Sequence, residues 1–450
     1  MRTNLRSAFP PVHTHEGAVA QKVDAYRELK RTLMTCLLWE DTFYEKGDSI
    51  AQRIADLVPK VDPQKVAHLA VEAREKMFLR HAPLWLVRQL ARVKAHPMDQ
   101  VQIGTLVAHT LEQVIQRADE LGEFVSLYWK EKKEPLSAGV KRGLAAAFRK
   151  FDAYALGKYN RDNAVKLRDV LFLCHAKPKD TEQAFLWKKL VEKTLESPDT
   201  WEVELSAGKD KRETFERLLR EKKLGGLAVL RNLRNMQQAG VDDGLIRERL
   251  EQGARKALPF RFVAAARYAP TLESAIEAGM FKAAEGLASL PGKTGLLIDV
   301  SGSMDGALSS KSEMTRIDAA AGLAILVREK CERARVATFS ERFVEIPARR
   351  GFALRDAIAS SQGHSGTYLR EARARAAIAW KDLDRLILIT DEQAHDGCGS
   401  AFTKFAYAVN VGNYQHGLTY GNGWTHIDGF SERILDYVRE YEAEMAHNDD

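Results

Sequence analysis

The stretch "TGLLIDVSGSMDG", residues 294–306, decides the architecture. An apolar run ends abruptly on Asp299, Ser301 and Ser303. A short all-apolar run fits a strand covered on both faces, as in a parallel sheet packed between helices. In such sheets ligands bind beyond the carboxyl ends of the strands, where neighbouring loops meet. The three residues alternate through a turn tightened by Gly302, so their oxygens can be directed toward one point. Carboxylate and hydroxyl oxygens are hard donors, suited to Mg²⁺ or Mn²⁺ rather than to zinc or copper.

Downstream, "RVATFS" (335–340), "RLILIT" (385–390) and "YAVNV" (407–411) alternate with helical stretches such as "RIDAAAGLAILVREKCER" (316–333). That alternation predicts an α/β unit with a mostly parallel sheet. Two of its loops extend the donor set: "GHSGTYLRE" (363–371) supplies Thr367, and "LILITDEQ" (386–393) leaves a buried strand on Asp391. Asp, Ser and Gly also populate turns for reasons unrelated to metal, so D-x-S-x-S alone carries little. With Thr367 and Asp391 in order, the five residues resemble the metal-ion-dependent adhesion site of von Willebrand factor A domains. The resemblance implies a site that binds a cation, lends an open position to an acidic group and is not by itself catalytic.

Upstream, residues 17 to about 288 show apolar residues at three- and four-residue spacing, as in "VAHLAVEAREKMFLR" (66–80) and "LGGLAVLRNLRNM" (224–236). Breaks fall at 57–65, 95–100, 133–137, 175–180, 196–201, 238–244 and 258–260, several offering an Asp, Ser or Thr to cap the next helix. Many helices joined by short loops predict an α-solenoid, with a compact bundle as the alternative. The expected organisation is a helical module over 1–288 and an A-like domain over 293–450, with "SLPGKTG" (289–295) between them.

The net charge of +6 is unevenly distributed. Residues 1–292 hold 49 Lys+Arg against 39 Asp+Glu, net +10, and residues 293–450 hold 19 against 23, net −4. A basic module suggests a polyanionic partner, nucleic acid being the commonest. Four widely spaced cysteines, Cys36, Cys174, Cys331 and Cys398, suggest neither a disulfide framework nor a zinc ribbon. No apolar run approaches the ~20 residues of a membrane helix, and the first residues lack the apolar core of a secretory signal. A cytoplasmic protein without membrane association is expected.

The helical part resembles the TROVE module, the RNA-binding portion of the Ro autoantigen and its bacterial relatives. The similarity rests on "TWEVELSAGKDKRETFERLLREKKLGGLAVLRNLRNM" (200–236), "KALPFRFVAAARY" (256–268), "LLWEDTFYEKG" (37–47), "GKYNRDNAVKLRDVLFLCHAKPK" (157–179) and the closing "TYGNGWTHIDGFSERILDYV" (419–438). The resemblance implies a ring of HEAT-like repeats closed by the A domain. It also implies structured Y-like non-coding RNA on a basic outer face and single-stranded 3′ ends of misfolded RNA in the hole. The family's Y RNA-contacting Lys and His fall on Lys158 and His175, and a family Arg falls on Asp162, beside Arg161. A functional link to exoribonucleases such as polynucleotide phosphorylase, and a monomer closed within one chain, are further implications.

The residue chemistry points the same way. Lys158, Arg161, Lys166, Arg168, Lys177 and Lys179 cluster around His175 in sequence, and Lys or Arg contacts to phosphate release counterions. Tyr159 and His175 offer rings for unpaired bases. A His before "AKP" equally suits a helix C-terminus. Arg231 and Arg234 share one helical face and suit either RNA or the bracing of neighbouring helices. "GVKRGLAAAFRKF" (139–151) is an amphipathic basic run.

A competing function is a protein-interaction scaffold whose divalent site captures an acidic partner. An enzyme is not expected. His364 and His395 lie in the site loops, but no base-and-nucleophile or paired-carboxylate constellation accompanies them.

Overall fold

The computed structural model describes residues 12–20, 24–34, 46–94, 98–254, 257, 259–287, 289–308, 314–412, 414, 416–429 and 434–448. The stretch 37–47 and Cys36 lie almost wholly outside them. The chain divides into two compact units, residues 51–249 and residues 1–50 together with 250–450.

Helix α1 (Ala25–Met34) belongs to the second of these. The 51–249 unit is helical, running through α2 (Gly47–Leu57), α3 (Pro63–Glu75), α4 (His81–Leu90), α5 (Gln100–Val114), α6 (Asp119–Tyr128), α7 (Ala138–Phe148), α8 (Ala153–Tyr159), α9 (Leu167–Cys174) and α10 (Thr181–Val191). It continues through α11 (Trp201–Ser206), α12 (Lys211–Arg220), α13 (Gly226–Gln238) and α14 (Asp243–Glu251). The starts follow from caps, all but Asp152 at the expected breaks. The side chains of Asp62, Asp99, Ser137, Asp152, Asp180 and Thr200 each accept a hydrogen bond from a backbone N–H of the following first turn. Helices α3, α5, α7 and α9 pack one on the next, while α4 packs on α6, the pattern of stacked helical hairpins.

The other unit holds α15 (Pro259–Tyr268), α16 (Glu273–Ala284) and a six-stranded sheet. The strands are β1 (Leu290–Asp299), β2 (Cys331–Phe339), β3 (Phe343–Ile346), β4 (Arg385–Thr390), β5 (Phe405–Asn410) and β6 (Thr425–Asp428), in the order β3-β2-β1-β4-β5-β6. All pairings are parallel except β2 with β3. Helix α17 (Arg316–Lys330) is buried over Arg316–Val327 and packs on β1, β2, α15 and α18 (Gly351–Ala359). A second core layer gathers Leu369, Ala372, Ala376 and Trp380, from α19 (Leu369–Ala379) and the residue after it, with Leu297, Leu386, Leu388 and Ala406 of the sheet. Helix α20 (Ile434–Asn448) ends the described chain.

The all-apolar runs are the central strands, as expected, but two details differ. "SLPGKTG" is no linker: β1 begins at Leu290, and a register shift between Leu290 and Lys293 absorbs the Pro-Gly pair. The sheet unit also reaches back to residue 250, so α15 and α16 belong with it although their sequence is helical like what precedes. Residues 12–20 are not helical; they form a turn closed by a bridge between His13 and Val19.

Candidate metal centre and nucleic-acid interface

Strand order reverses at β1: the chain passes from β1 to β2 on one side and returns to β4 on the other. Loops leaving β1 and β4 therefore diverge, and the crevice at this switch point is where open α/β sheets bind ligands. Asp299 is the last residue of β1 and Asp391 the first after β4, and both are fully buried. One Asp299 oxygen accepts from the Ser301 N–H at 2.9 Å and the other from the Thr390 hydroxyl at 2.6 Å. The Ser301 and Ser303 hydroxyl oxygens lie 3.4 Å apart. Gly302 donates its N–H to the Ser365 carbonyl at 2.9 Å, which ties this turn to the Thr367 loop. Thr367 is buried, its N–H directed at His395 Nδ1 at 3.2 Å. Gly412 lets Asp391 approach, since a Cβ there would lie 2.6 Å from the Asp391 Cβ.

All five metal-site residues of the sequence prediction thus sit on adjoining loops at one end of the sheet. Burial, and then the neighbouring Asp391 carboxylate, push the Asp299 carboxyl up to about 7. Two buried carboxylates with three hydroxyls form a hard-oxygen set that a divalent cation fits, since its charge offsets their repulsion. The histidines are engaged at the rim. His364 Nδ1 contacts Asp305 at 2.8 Å, and His395 Nε2 contacts Glu16 at 3.2 Å.

The basic charge is more localised than the sequence halves suggested. The 51–249 unit holds 37 Lys+Arg against 28 Asp+Glu, net +9, and residues 138–191, spanning α7 to α10, hold 12 against 5, net +7. Arg161, Lys166 and Arg168 lie around the N-terminal end of α9, with Lys158 in the last turn of α8. His175 and Lys177 follow its C-terminal end, an axial separation of about 12 Å for eight residues. Arg161, His175 and Lys177 are exposed. His175 takes the left-handed conformation (φ 52°) and donates its N–H to the last turn of α9, so the helix-terminal role is real and leaves the ring outside.

Other members are partly engaged. Lys158 pairs with Glu202 at 3.3 Å, and Lys166 pairs with Asp162. Tyr159 is half-buried under two cations, Arg117 at 4.8 Å and Lys158 at 5.6 Å, which leaves its ring little room for a base. Arg231 and Arg234 are exposed on α13, and Arg249 of the next helix braces the turn before it by donating to the Leu224 carbonyl at 2.9 Å. The sequence reading missed the exposed rings: Tyr154, Phe172 and Phe185 are 56%, 59% and 60% exposed. Their placement at polar rather than apolar helical positions within a basic stretch was the available signal.

Residues 192–284 match the model of the TROVE domain. The structure is similar to the crystal structure of the Deinococcus radiodurans Ro (RSR) protein, with a TM-score of 0.59 at 18% identity over 93% of this chain and 100% of that one. At that identity the likeness establishes the fold, helical repeats with an A-type sheet domain. Among curated proteins no match to the sequence is found.

Proposed function

We propose that this chain, a TROVE-domain protein with the fold of a bacterial Ro protein, is a non-catalytic RNA-binding protein acting in RNA quality control or processing in the cytoplasm. The observation that carries this is the net +7 of the α7–α10 stretch, within a unit of net +9. Arg161, Arg168, His175 and Lys177 on α9 and its flanks contact the phosphates of a structured small RNA, with Lys158 and Lys166 contributing as their ion pairs open. Arg231 and Arg234 contact the single-stranded 3′ end. Capture of phosphates by such side chains releases counterions and makes affinity salt-dependent.

The test is binding of a structured RNA with a free 3′ tail across a salt series. About five phosphate contacts predict a log-log slope near −3.5 by the single-strand rule. Arg161→Ala with Lys177→Ala should weaken binding and flatten the slope by about 1.4. A salt-independent affinity would overturn the proposal.

The buried oxygen cluster favours a second, compatible activity. Asp299, Ser301, Ser303, Thr367 and Asp391 would hold Mg²⁺, which supplies a coordination position for a carboxylate of a protein partner, an exoribonuclease being one candidate. Purified protein with Mg²⁺ or Mn²⁺ should leave RNA intact, and Asp299→Ala should lose the acidic partner while binding RNA as before.

A further inference from the structure

The 51–249 unit contains a cavity of about 580 Å³ between the α7–α8 turn, one side of α10 and the 195–198 loop. Its size lies within the ~300–1,000 Å³ of small-ligand sites. Tyr154 and Phe185 line it, and they are two of the three strongly exposed aromatic residues among the described residues of the unit. Burying such a ring is favourable, and two of them on one cavity offer apolar area that a flat ligand would cover. The third, Phe172 on α9, lies in the same stretch.

The charge pattern selects the occupant. Arg149, Lys150, Lys179 and Lys189 line the cavity, and so do Asp152, Asp180, Glu182 and Glu196, so its wall is balanced. Several of these groups are committed. Asp152 and Asp180 cap α8 and α10, and Lys150 donates to the Glu112 and Ile115 carbonyls at the end of α5. Lys189 lies 4.9 Å from the centre of the Phe185 ring. A balanced wall does not attract phosphate, while the other charged residues of 138–191, 8 basic against 2 acidic and so net +6, do. A neutral, flat group carried on a phosphate chain meets both conditions. Aromatic platforms inside a basic surroundings are how single strands are held without sequence readout.

We infer that this cavity takes one unpaired base of single-stranded RNA, stacked on Tyr154 or Phe185, while the flanking phosphates lie on the basic residues of α7, α9 and α10. The inference rests on the RNA-binding function proposed above and names a second place, besides Arg231 and Arg234, where a single strand engages the helical unit.

The experiment uses the full chain and short single-stranded RNAs carrying one 2-aminopurine, whose fluorescence is quenched on stacking. The wild type should quench the probe. Tyr154→Leu with Phe185→Leu, which keeps apolar area but removes the π-faces, should abolish the quench and weaken binding about 5-fold or more. The salt slope should be unchanged, because no phosphate contact is lost. Tyr154→Phe, which retains the ring, should behave as wild type and controls for folding. RNA bound with unaltered affinity and quench by the Leu variant would overturn the base site and leave the RNA-binding function standing. Wild-type protein that binds neither this probe nor the structured RNA would overturn both.

Discussion

Arg31 and Glu392, 361 residues apart in sequence, form an ion pair with neither side chain exposed to solvent. Arg31 also donates to the Tyr414 carbonyl at 2.6 Å and the His416 carbonyl at 3.3 Å. Glu392 accepts from the N–H groups of Leu418 and Thr419 at 3.1 and 2.8 Å. Burial alone would raise the Glu392 carboxyl, but the Arg31 guanidinium, aided by His426 and Thr419, holds it at about 2. Helix α1 is thereby fastened beside Asp391, whose neighbour Glu392 adopts φ 60°. Arg31→Met should cost about 3–5 kcal/mol, because it leaves a buried carboxylate unpaired. Adding Glu392→Gln should recover much of that loss in urea unfolding. A single variant as stable as wild type would refute the pairing.

Gly104 and Gly139 bring α5 and α7 together. A Cβ on Gly139 would lie 2.4 Å from the Gly104 carbonyl oxygen and 2.8 Å from its Cα, both backbone atoms that cannot swing aside. Gly139→Ala should therefore destabilise the helical unit by about 1–3 kcal/mol, even though alanine favours a helix. Its measure is the urea midpoint; a stabilised variant would mean the two helices sit farther apart.

Much of this was legible in the sequence because the decisive features are local. A break followed by Asp, Ser or Thr encodes a helix start wherever the chain runs, and Asp62, Asp99 and Asp180 behave so. The oxygen cluster was legible because strand ends in an α/β sheet converge by topology, which brings Asp299 and Asp391 together from 92 residues apart. Long-range matters were not. Nothing near Arg31 announces Glu392, β3 and β6 are four-residue strands whose pairing comes from their neighbours, and Leu290 joins β1 despite the Pro-Gly that follows. Exposure was also hidden, since Tyr159 and Tyr154 look alike in sequence yet Tyr154 is exposed and Tyr159 half-buried.

Cys398 is buried, with its sulfur 3.0 Å from the Leu418 carbonyl. Burial, and then the negative charge of Glu392, push its thiol up to about 12. A raised thiol pKa keeps the neutral form, so at pH 8 the reactive thiolate is scarce. Iodoacetamide at pH 8 should leave the Cys398 peptide unmodified in native protein and label it in urea, as read by mass spectrometry. Labelling at equal rates in both would place the sulfur at the surface.

The oxygen cluster makes opposite demands on stability and on binding. Asp299 and Asp391 are buried carboxyls at the ends of adjacent strands, costly to ionise together unless a cation lies between them. Asp299→Asn removes one charge; its one amide oxygen can still accept from the Ser301 N–H, and its NH2 replaces the oxygen that faces the Thr390 hydroxyl, which can turn to accept instead. In chelator, this variant should match or exceed the wild type in thermal stability. With Mn²⁺ or Mg²⁺ added the order should reverse, because a ligand at a hundred times its Kd stabilises only the protein that binds it, by about 2.7 kcal/mol. Thr367→Ala should shift the midpoint of the metal titration without abolishing it, since it removes one neutral donor. A wild-type protein whose melting is indifferent to both cations, or an Asn variant that responds as strongly as wild type, would show that the two carboxylates are buried for structural reasons alone.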